Sequence, residues 1–314
     1  MWIYAMRRLG LAVAIILVAM AILFFMIYLV PGDPASIALG PRATPEMREA
    51  LRAKMGLDQP VPIQFMNFVV SVVQGDLGVD VWSNRSVGVI VMEALPYTLI
   101  LAFVALGWAV LLGVPMGCYS AIRRNTWLDK ITGVVSVSAI AVPSFIIALY
   151  CLLIFAVMLR VLPAIGAGEQ GDVWDQATHL VLPSFAIGLG WVGYLARLVR
   201  ASMLEVMGEN YIRTARAFGL AERTIIYRYA LKLAILPTVT LLGVGVGSTL
   251  SSAVFAEIVF ARPGVGKLVY DAVITRNYPV VMGSVLVTTA LIVLFVLISD
   301  LLAAWLDPRV RATL

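Results

Sequence analysis

The sequence has few charged residues. Asp, Glu, Lys and Arg make up 13% of its 314 residues, about half of the fraction that is usual in soluble domains. Hydrophobic residues make up 61%, and the mean hydropathy is +0.97. Such a composition predicts an all-α, polytopic membrane protein with one membrane domain and one sizeable insertion. The net charge of +5 does not indicate a nucleic-acid partner, because the placement of the basic residues is explained by membrane topology.

Histidine and cysteine are also scarce, which argues against an enzyme or a metal site. His179 is the only histidine, and a lone histidine where a span begins more often has a structural role than a ligand role. Cys118 and Cys151 lie within apolar runs, where we expect small buried side chains and not a disulfide. The sequence shows no paired carboxylates, Cys/His pair or metal-ligand cluster, so we expect no catalytic residue, no metal and no cofactor.

Six long windows without a charged residue predict six spanning helices. They cover residues 9–32, 94–122, 131–159, 176–196, 233–256 and 277–299. A seventh charge-free window, 59–75, is too short and too polar to span, and we expect it outside the membrane. Pro115 and Pro143 lie inside the second and third windows, where a packing kink is favoured over a gating kink.

The placement of lysine and arginine predicts the orientation. If the chain enters from the cytoplasm, 14 of the 23 basic residues lie on the cytoplasmic side. Five of the other nine lie in one long external segment, where such residues count little. The bias of the short loops therefore predicts that both termini are cytoplasmic.

The long external segment divides the chain into three predicted regions. These are the N-terminal tail with the first spanning helix (1–31), the insertion (32–93) and the core with helices 2–6 (94–314). Within the insertion, Thr44 is the expected N-cap of a helix that has Pro45 at its first position and ends at Gly56. The insertion is too small for a core of its own, so we expect it to pack on the membrane domain.

The stretch from Ala201 to Pro237 is densely charged, although it lies between two apolar windows. Tyr211, Ala215 and Phe218 fall on one face of a short helix, and Gly219 stands where a left-handed residue usually ends one. A solvated connector is the ordinary interpretation of such a loop. The length and helical pattern favour a short amphipathic helix, a glycine turn and a second helix that returns to the membrane.

The same stretch resembles a known family. YIRTARAFGL at 211–220 is similar to the cytoplasmic coupling loop of ABC importer permeases, in particular the dipeptide/oligopeptide/nickel branch. Residues 213–215 read Arg-Thr-Ala where the wider superfamily begins Glu-Ala-Ala, a departure that suits this branch. The phrases PGDPA, GLDQP, QGDLG and LPYTLILA resemble the member of the family with a long first periplasmic loop. The resemblance runs from Arg8 to Arg311.

This resemblance implies a permease subunit of an ABC importer in the bacterial inner membrane, without an ATP site of its own. The implied partners are a second homologous permease that completes a heterodimer, two ATPase subunits, a solute-binding protein and the lipid bilayer. Peptides are the commonest cargo of the family, and nickel complexes or other small solutes are the alternatives. The residues of the predicted coupling loop (201–232) that match the motif are Tyr211, Arg213, Thr214, Ala215, Arg216, Phe218 and Gly219.

Small residues supply the candidates for the pathway or for a helix interface. Spacing by four residues in the fifth window allows close helix approach in lipid, which is more often packing than a substrate site. The candidates are Ser144, Gly243, Gly247, Ser248 and Ser251.

The external loop 257–276 contains PGVGK, which resembles part of a phosphate-binding loop. The pattern fails, because residue 261 is Ala where Gly is required and residue 268 is Leu where Ser or Thr is required. Pro263-Gly264 is expected to form a turn. Glu257 is expected to reach the membrane interface, although an ionisable group at the edge of a span can also be functional.

An ATP-independent secondary transporter or channel is the alternative class of function. Such proteins usually place charges within their spans for ion coupling, and the predicted span cores carry none. The sequence therefore favours the importer subunit, with peptides as its cargo.

Overall fold

The computed structural model describes residues 2–29, 44–54 and 58–306. Within these ranges the chain is mostly helical, and its one antiparallel bridge joins Val79 to Ser86. Five of the described helices are long and apolar enough to span a membrane, and a sharply bent pair makes a sixth crossing if it counts as one span. The predicted all-α architecture is confirmed.

The helices have the following bounds. In chain order they are α1 (Trp2–Leu29), α2 (Pro45–Lys54), α3 (Val61–Val73), α4 (Val87–Ile122), α5 (Trp127–Ala141), α6 (Ser144–Cys151), α7 (Val173–Met207), α8 (Asn210–Ala217), α9 (Glu222–Thr224), α10 (Leu231–Ala234), α11 (Leu236–Val259), α12 (Val265–Ile274) and α13 (Tyr278–Leu306). Wider π-type turns extend α6 over Leu152–Met158 and join α9 to α10 over Ile225–Ala230.

The third predicted span is broken, which corrects the expectation of a simple packing kink. α5 and the helical run that begins at Ser144 meet at 97°. Pro143 has no N–H to donate to the carbonyl of Ala139, and proline also disfavours a helical conformation at Val142, whose φ of −89° and ψ of 123° are extended. By contrast, Pro115 lies inside a continuous α4.

The scaffold of the bundle is the close pair of α4 and α7. A Cβ at Gly117 would lie 2.4 Å from the carbonyl oxygen of Ala196, and one at Gly188 would lie 2.6 Å from that of Ala105. Only glycine permits these approaches, as is common where helices pack within lipid. The fully buried Leu195 lies in the same contact.

Within the segment between α1 and α4, α3 packs on the first spanning helix, as expected. The hydroxyl of Thr44 accepts a hydrogen bond of 3.3 Å from the N–H of Met47, which is the geometry of the predicted N-cap. The ring centroids of Phe65 and Phe68 lie 5.4 and 6.0 Å from that of Phe24. Gly56 and the PGDPA phrase lie outside the described residues.

Asp80 ties this segment to the last spanning helix. Its carboxylate accepts hydrogen bonds from the side chains of Ser83 and Asn277 and from the N–H of Trp82. Burial opposes ionisation of Asp80, but these hydrogen bonds outweigh it and hold its pKa below the ordinary value. The segment is thus held at the same end of the bundle as the α12–α13 turn.

Candidate functional site

The predicted coupling loop begins later than its sequence suggests. Residues 201–207 continue α7, and the connection between the two spans is 208–235. Within it α8 contains the family-like motif, and three short helical pieces return the chain to α11. The expected order of helix, glycine turn and returning helix is present.

The residues that were predicted to share one face of α8 differ in burial. Ala215 is buried against the chain's own core together with the fully buried Ile212, Met203 and Ile225. Phe218, in contrast, is 82% exposed. Ala215 therefore holds α8 on the bundle, so the predicted apolar face is not exposed as one surface, and the contact of Ala215 with an ATPase stays a prediction.

The exposed residues of the motif form what we call the α8 surface: Tyr211, Arg213, Thr214, Arg216 and Phe218. Partial burial and then the negative charge of Glu209 raise the pKa of the Tyr211 hydroxyl. Arg216 Nε lies 2.7 Å from Glu222 Oε1, an exposed pair that contributes little to stability but spans the glycine turn.

Gly219 supplies the turn that the sequence predicts. Its φ is +73°, and nothing lies within 4 Å of the position that a Cβ would occupy. The N–H groups of Gly219 and Leu220 bond to the carbonyls of Arg216 and Ala215 at 2.9 and 3.3 Å. A side chain at residue 219 would therefore be disfavoured by backbone strain alone and not by a clash.

A partly buried ion pair that was missed in the sequence connects three helices near this loop. Arg200 Nε and Nη2 donate to the two carboxylate oxygens of Asp129 at 2.6 and 2.9 Å. Ser120 Oγ and the N–H of Asn125 donate to the same carboxylate at 2.5 and 2.9 Å. Arg200 lies two turns before the end of α7, so this cluster fixes α4 and α5 to the helix that leads into α8.

Two of the five predicted pathway candidates, Gly243 and Gly247, lie at a helix interface within the chain. A Cβ at Gly243 would lie 1.8 Å from Ser299 Cβ, and one at Gly247 would lie 3.0 Å from Ile292. Ser248 and Ser251 bond to backbone carbonyls one turn back in α11. Gly243 and Gly247 therefore pack α11 against α13, which is the role that their spacing makes the more common, whereas Ser248 and Ser251 are exposed.

Ser144 has a different position, because it lines a cavity of about 350 Å³ at the break between α5 and α6. The other walls come from α7 and α11, where Gly190, Trp191, Tyr194 and Ser252 face the cavity. The Trp191 and Tyr194 rings meet edge to face with centroids 5.7 Å apart. Nothing local in the sequence marks either aromatic residue as facing a helix break elsewhere in the chain.

Glu257 is fully buried, which corrects the expectation that it reaches the membrane interface. Thr98 Oγ1 donates to Oε1 of Glu257 at 2.6 Å, and the N–H of Lys267 donates to Oε2 at 3.1 Å. Thr98 Oγ1 also accepts from the N–H of Val265 at 2.8 Å. The carboxyl thus connects α11, α4 and the start of α12.

The PGVGK motif is the loop that wraps this carboxyl. A Cβ at Gly264 would lie 2.0 Å from Cδ of Glu257, and one at Gly266 would lie 2.9 Å from Oε2. Both glycines are therefore required for close packing around Glu257. Arg262, beside them, is 2% exposed, and its guanidinium lies 5.7 Å from the centre of the Tyr97 ring.

Comparisons with known proteins cover nearly the whole chain. Residues 113–312 match the family described as "Binding-protein-dependent transport system inner membrane component", and residues 1–102 match the N-terminal component of such systems. The "Glutathione transport system permease protein GsiC" of Pectobacterium atrosepticum is 36% identical over 98% of both chains, and that of Escherichia coli K12 is 34% identical over the same shares. A structure of the MetNI methionine ABC transporter in an inward-facing conformation covers 69% of this chain and 96% of its own, with a TM-score of 0.59 and 18% identity. The last match concerns the fold alone.

Proposed function

This chain belongs to the binding-protein-dependent transport system inner membrane components, and we propose that its cargo is short peptides. It is a transmembrane permease subunit of an ABC transporter, as the family and the fold agree. Two relatives that match over 98% of its length are named for glutathione, which is a tripeptide. The identity of 34–36% to these relatives over 98% of the chain is the observation that carries the proposal.

The chain is a transport component, and in this proposal it has no ATP site of its own. The PGVGK loop wraps the carboxyl of Glu257, and the N–H of Lys267, which a phosphate-binding loop would offer to a phosphate, donates to that carboxyl instead. The side chain of Lys267 is engaged by Asp271 at 2.5 Å. Hydrolysis would therefore take place in two ATPase subunits. A second permease would complete the pathway, and a solute-binding protein would deliver the cargo.

Both termini lie in the cytoplasm in this proposal, and the protein lies in the bacterial inner membrane. Six crossings, with the bent pair counted as one, return the chain to the side on which it began. The short basic connections, including 208–235, then face the cytoplasm. The segment 32–93 and the loop around Glu257 face the side from which a binding protein would approach.

The α8 surface is the proposed contact with an ATPase subunit. Phe218 exposes an aromatic ring to solvent, and Arg213 and Arg216 flank it. Exposed aromatic and arginine residues are those that most often dominate the energy of interfaces. Ile212 and Ala215 hold the helix from beneath, and Gly219 sets the direction in which the chain leaves it.

Uptake by the reconstituted importer tests the cargo. The permease is combined in proteoliposomes with its partner permease, ATPases and binding protein, and uptake of labelled di- and tripeptides is measured. We expect accumulation that requires ATP and the binding protein. Accumulation of a nickel complex without peptide uptake would refute the peptide cargo, and uptake driven by an ion gradient without ATP would support the secondary transporter.

A substitution in α8 tests the contact with the ATPase. Phe218→Ala should weaken copurification of the ATPase subunit at least about tenfold, because truncation of an aromatic anchor commonly costs 2 kcal/mol or more. Trp82→Ala, in the segment between α3 and α4, is the control, since Trp82 is also well exposed (65%). Equal copurification of the two variants would show that 208–235 is the solvated connector.

A further inference from the structure

The cavity at the break between α5 and α6 lies near the middle of the bundle. Gly190, on its wall, is 17 residues from either end of α7, which is about 26 Å at 1.5 Å per residue. Its volume of about 350 Å³ is near the lower end of the range of small-molecule pockets, about 300–1,000 Å³. The cavity is therefore the size of a small solute and lies at the mid-depth of the bundle, a level that any transported solute must pass.

The lining is uncharged but not wholly apolar. The wall residues are Ala139, Ile140, Val142, Pro143, Ser144, Ile147, Ala186, Ile187, Gly190, Trp191, Tyr194 and Ser252, none of which carries a formal charge at neutral pH. Among the described residues, the Trp191 ring N–H and the hydroxyls of Tyr194 and Ser144 have no hydrogen-bond partner within the protein. These three groups can donate hydrogen bonds to a ligand in the cavity.

The helix break adds an acceptor to the same place. Pro143 cannot supply the N–H that would otherwise bond to the carbonyl of Ala139. That carbonyl oxygen lies 3.5 Å from the position that a Cβ on Gly190 would occupy, at the wall of the cavity. Backbone polar groups that lie free at membrane depth occur where they line a cavity or binding site.

Trp191 is held firmly enough to present a fixed wall. Its ring lies against Gly245, where a Cβ would be only 3.1 Å from the ring, and packs with Leu242 and Val246. Tyr194 is 44% exposed and leans on the Trp191 ring. A peptide unit has one acceptor, one donor and a planar face. The unpaired donors of the cavity, its free carbonyl and its flat aromatic wall match these three features in turn.

Given the proposed peptide cargo, the geometry points to this cavity as a mid-membrane site that binds the backbone amides of the peptide in transit, with Trp191, Tyr194 and Ser144 as its contacts. Recognition of amides without charges suits a site that must release its cargo and accept varied side chains. The solute-binding protein then sets the KM of transport, and this cavity sets the maximal rate.

Filling the cavity is the test, carried out in the full reconstituted complex with labelled trialanine. A Cβ at Gly190 makes only an ordinary contact, so Gly190→Met should fold and project its side chain into the cavity. The control is Gly107→Met on α4, where nothing lies within 4 Å of the new Cβ. We expect Gly190→Met to lower the maximal uptake rate about tenfold or more with an unchanged KM. Gly107→Met should match the wild type.

A second variant removes a single contact. Tyr194→Phe deletes only a hydroxyl, and it should lower the maximal rate about fivefold, the effect of one hydrogen bond of about 1 kcal/mol. Trialanine uptake by the wild type with unchanged rates in both variants would overturn the site and leave the peptide cargo intact. An absence of peptide uptake in the wild type would overturn the peptide cargo, and the site with it.

Discussion

Gly264→Ala is the substitution for which the structure gives the sharpest expectation. Gly264 has an ordinary φ of −114°, so alanine brings no backbone strain there. Its Cβ would lie 2.0 Å from Cδ of Glu257 and 2.1 and 2.3 Å from the two carboxyl oxygens. Ordinary contact begins at about 3.4 Å, so the carboxyl must move by about 1.4 Å.

The cost follows from what holds the carboxyl in place. A displacement of that size breaks the 2.6 Å hydrogen bond from Thr98 and the 3.1 Å hydrogen bond from the N–H of Lys267. Each buried group left without its partner costs about 1–3 kcal/mol. The loss in stability is therefore about 2–6 kcal/mol, to which overpacking of the core adds further cost.

A double-mutant cycle measures whether the clash with Glu257 is the cause. Thermal unfolding of the purified complex is compared for Gly264→Ala, Glu257→Ala and the double variant, with Gly107→Ala as the control in open space. We expect Gly264→Ala to lower Tm by about 4 °C or more in the wild-type background. In the Glu257→Ala background the same change should have a much smaller effect, because the three atoms nearest to the new Cβ have been removed. An equal loss in both backgrounds would refute the reasoning.

Three further predictions concern the proposed assembly and topology. Gly219→Val should insert normally but assemble at least about fivefold less with the ATPase, because a branched side chain at φ +73° is strained by about 1 kcal/mol or more. Gly10→Val is the control, and equal copurification of the ATPase with the two variants would contradict the prediction. A cysteine at Glu169 should react with an impermeant thiol reagent from outside intact cells and one at Glu209 only from inside, and reversed labelling would overturn the orientation. The purified permease should not hydrolyse ATP without its partner subunits, as a phosphate-release assay checks; hydrolysis by the permease alone would refute the absence of an ATP site.

The α8 loop shows how far a local pattern can predict. The short helix and its glycine turn follow from residues within ten positions of each other, and both are present. Which side of α8 faces the bundle depends on Met203 and on the helical pieces after Gly219, so the predicted face of Tyr211, Ala215 and Phe218 was divided. Periodicity identifies a face, but only the packing partners decide which face is buried.

The sequence by itself determined the class of protein, five of its long spanning helices and its family. Whether a segment spans the membrane depends on its own apolar length and on the charges that flank it. Both can be read from a short window of the sequence, without knowledge of the tertiary contacts. The tertiary structure alone decided the role of Glu257, because Thr98, which donates to it, is 159 residues away. It also decided the 97° break at Pro143 and brought Trp191 and Tyr194 to it, since proline permits a kink or a break and the neighbouring helices select between them.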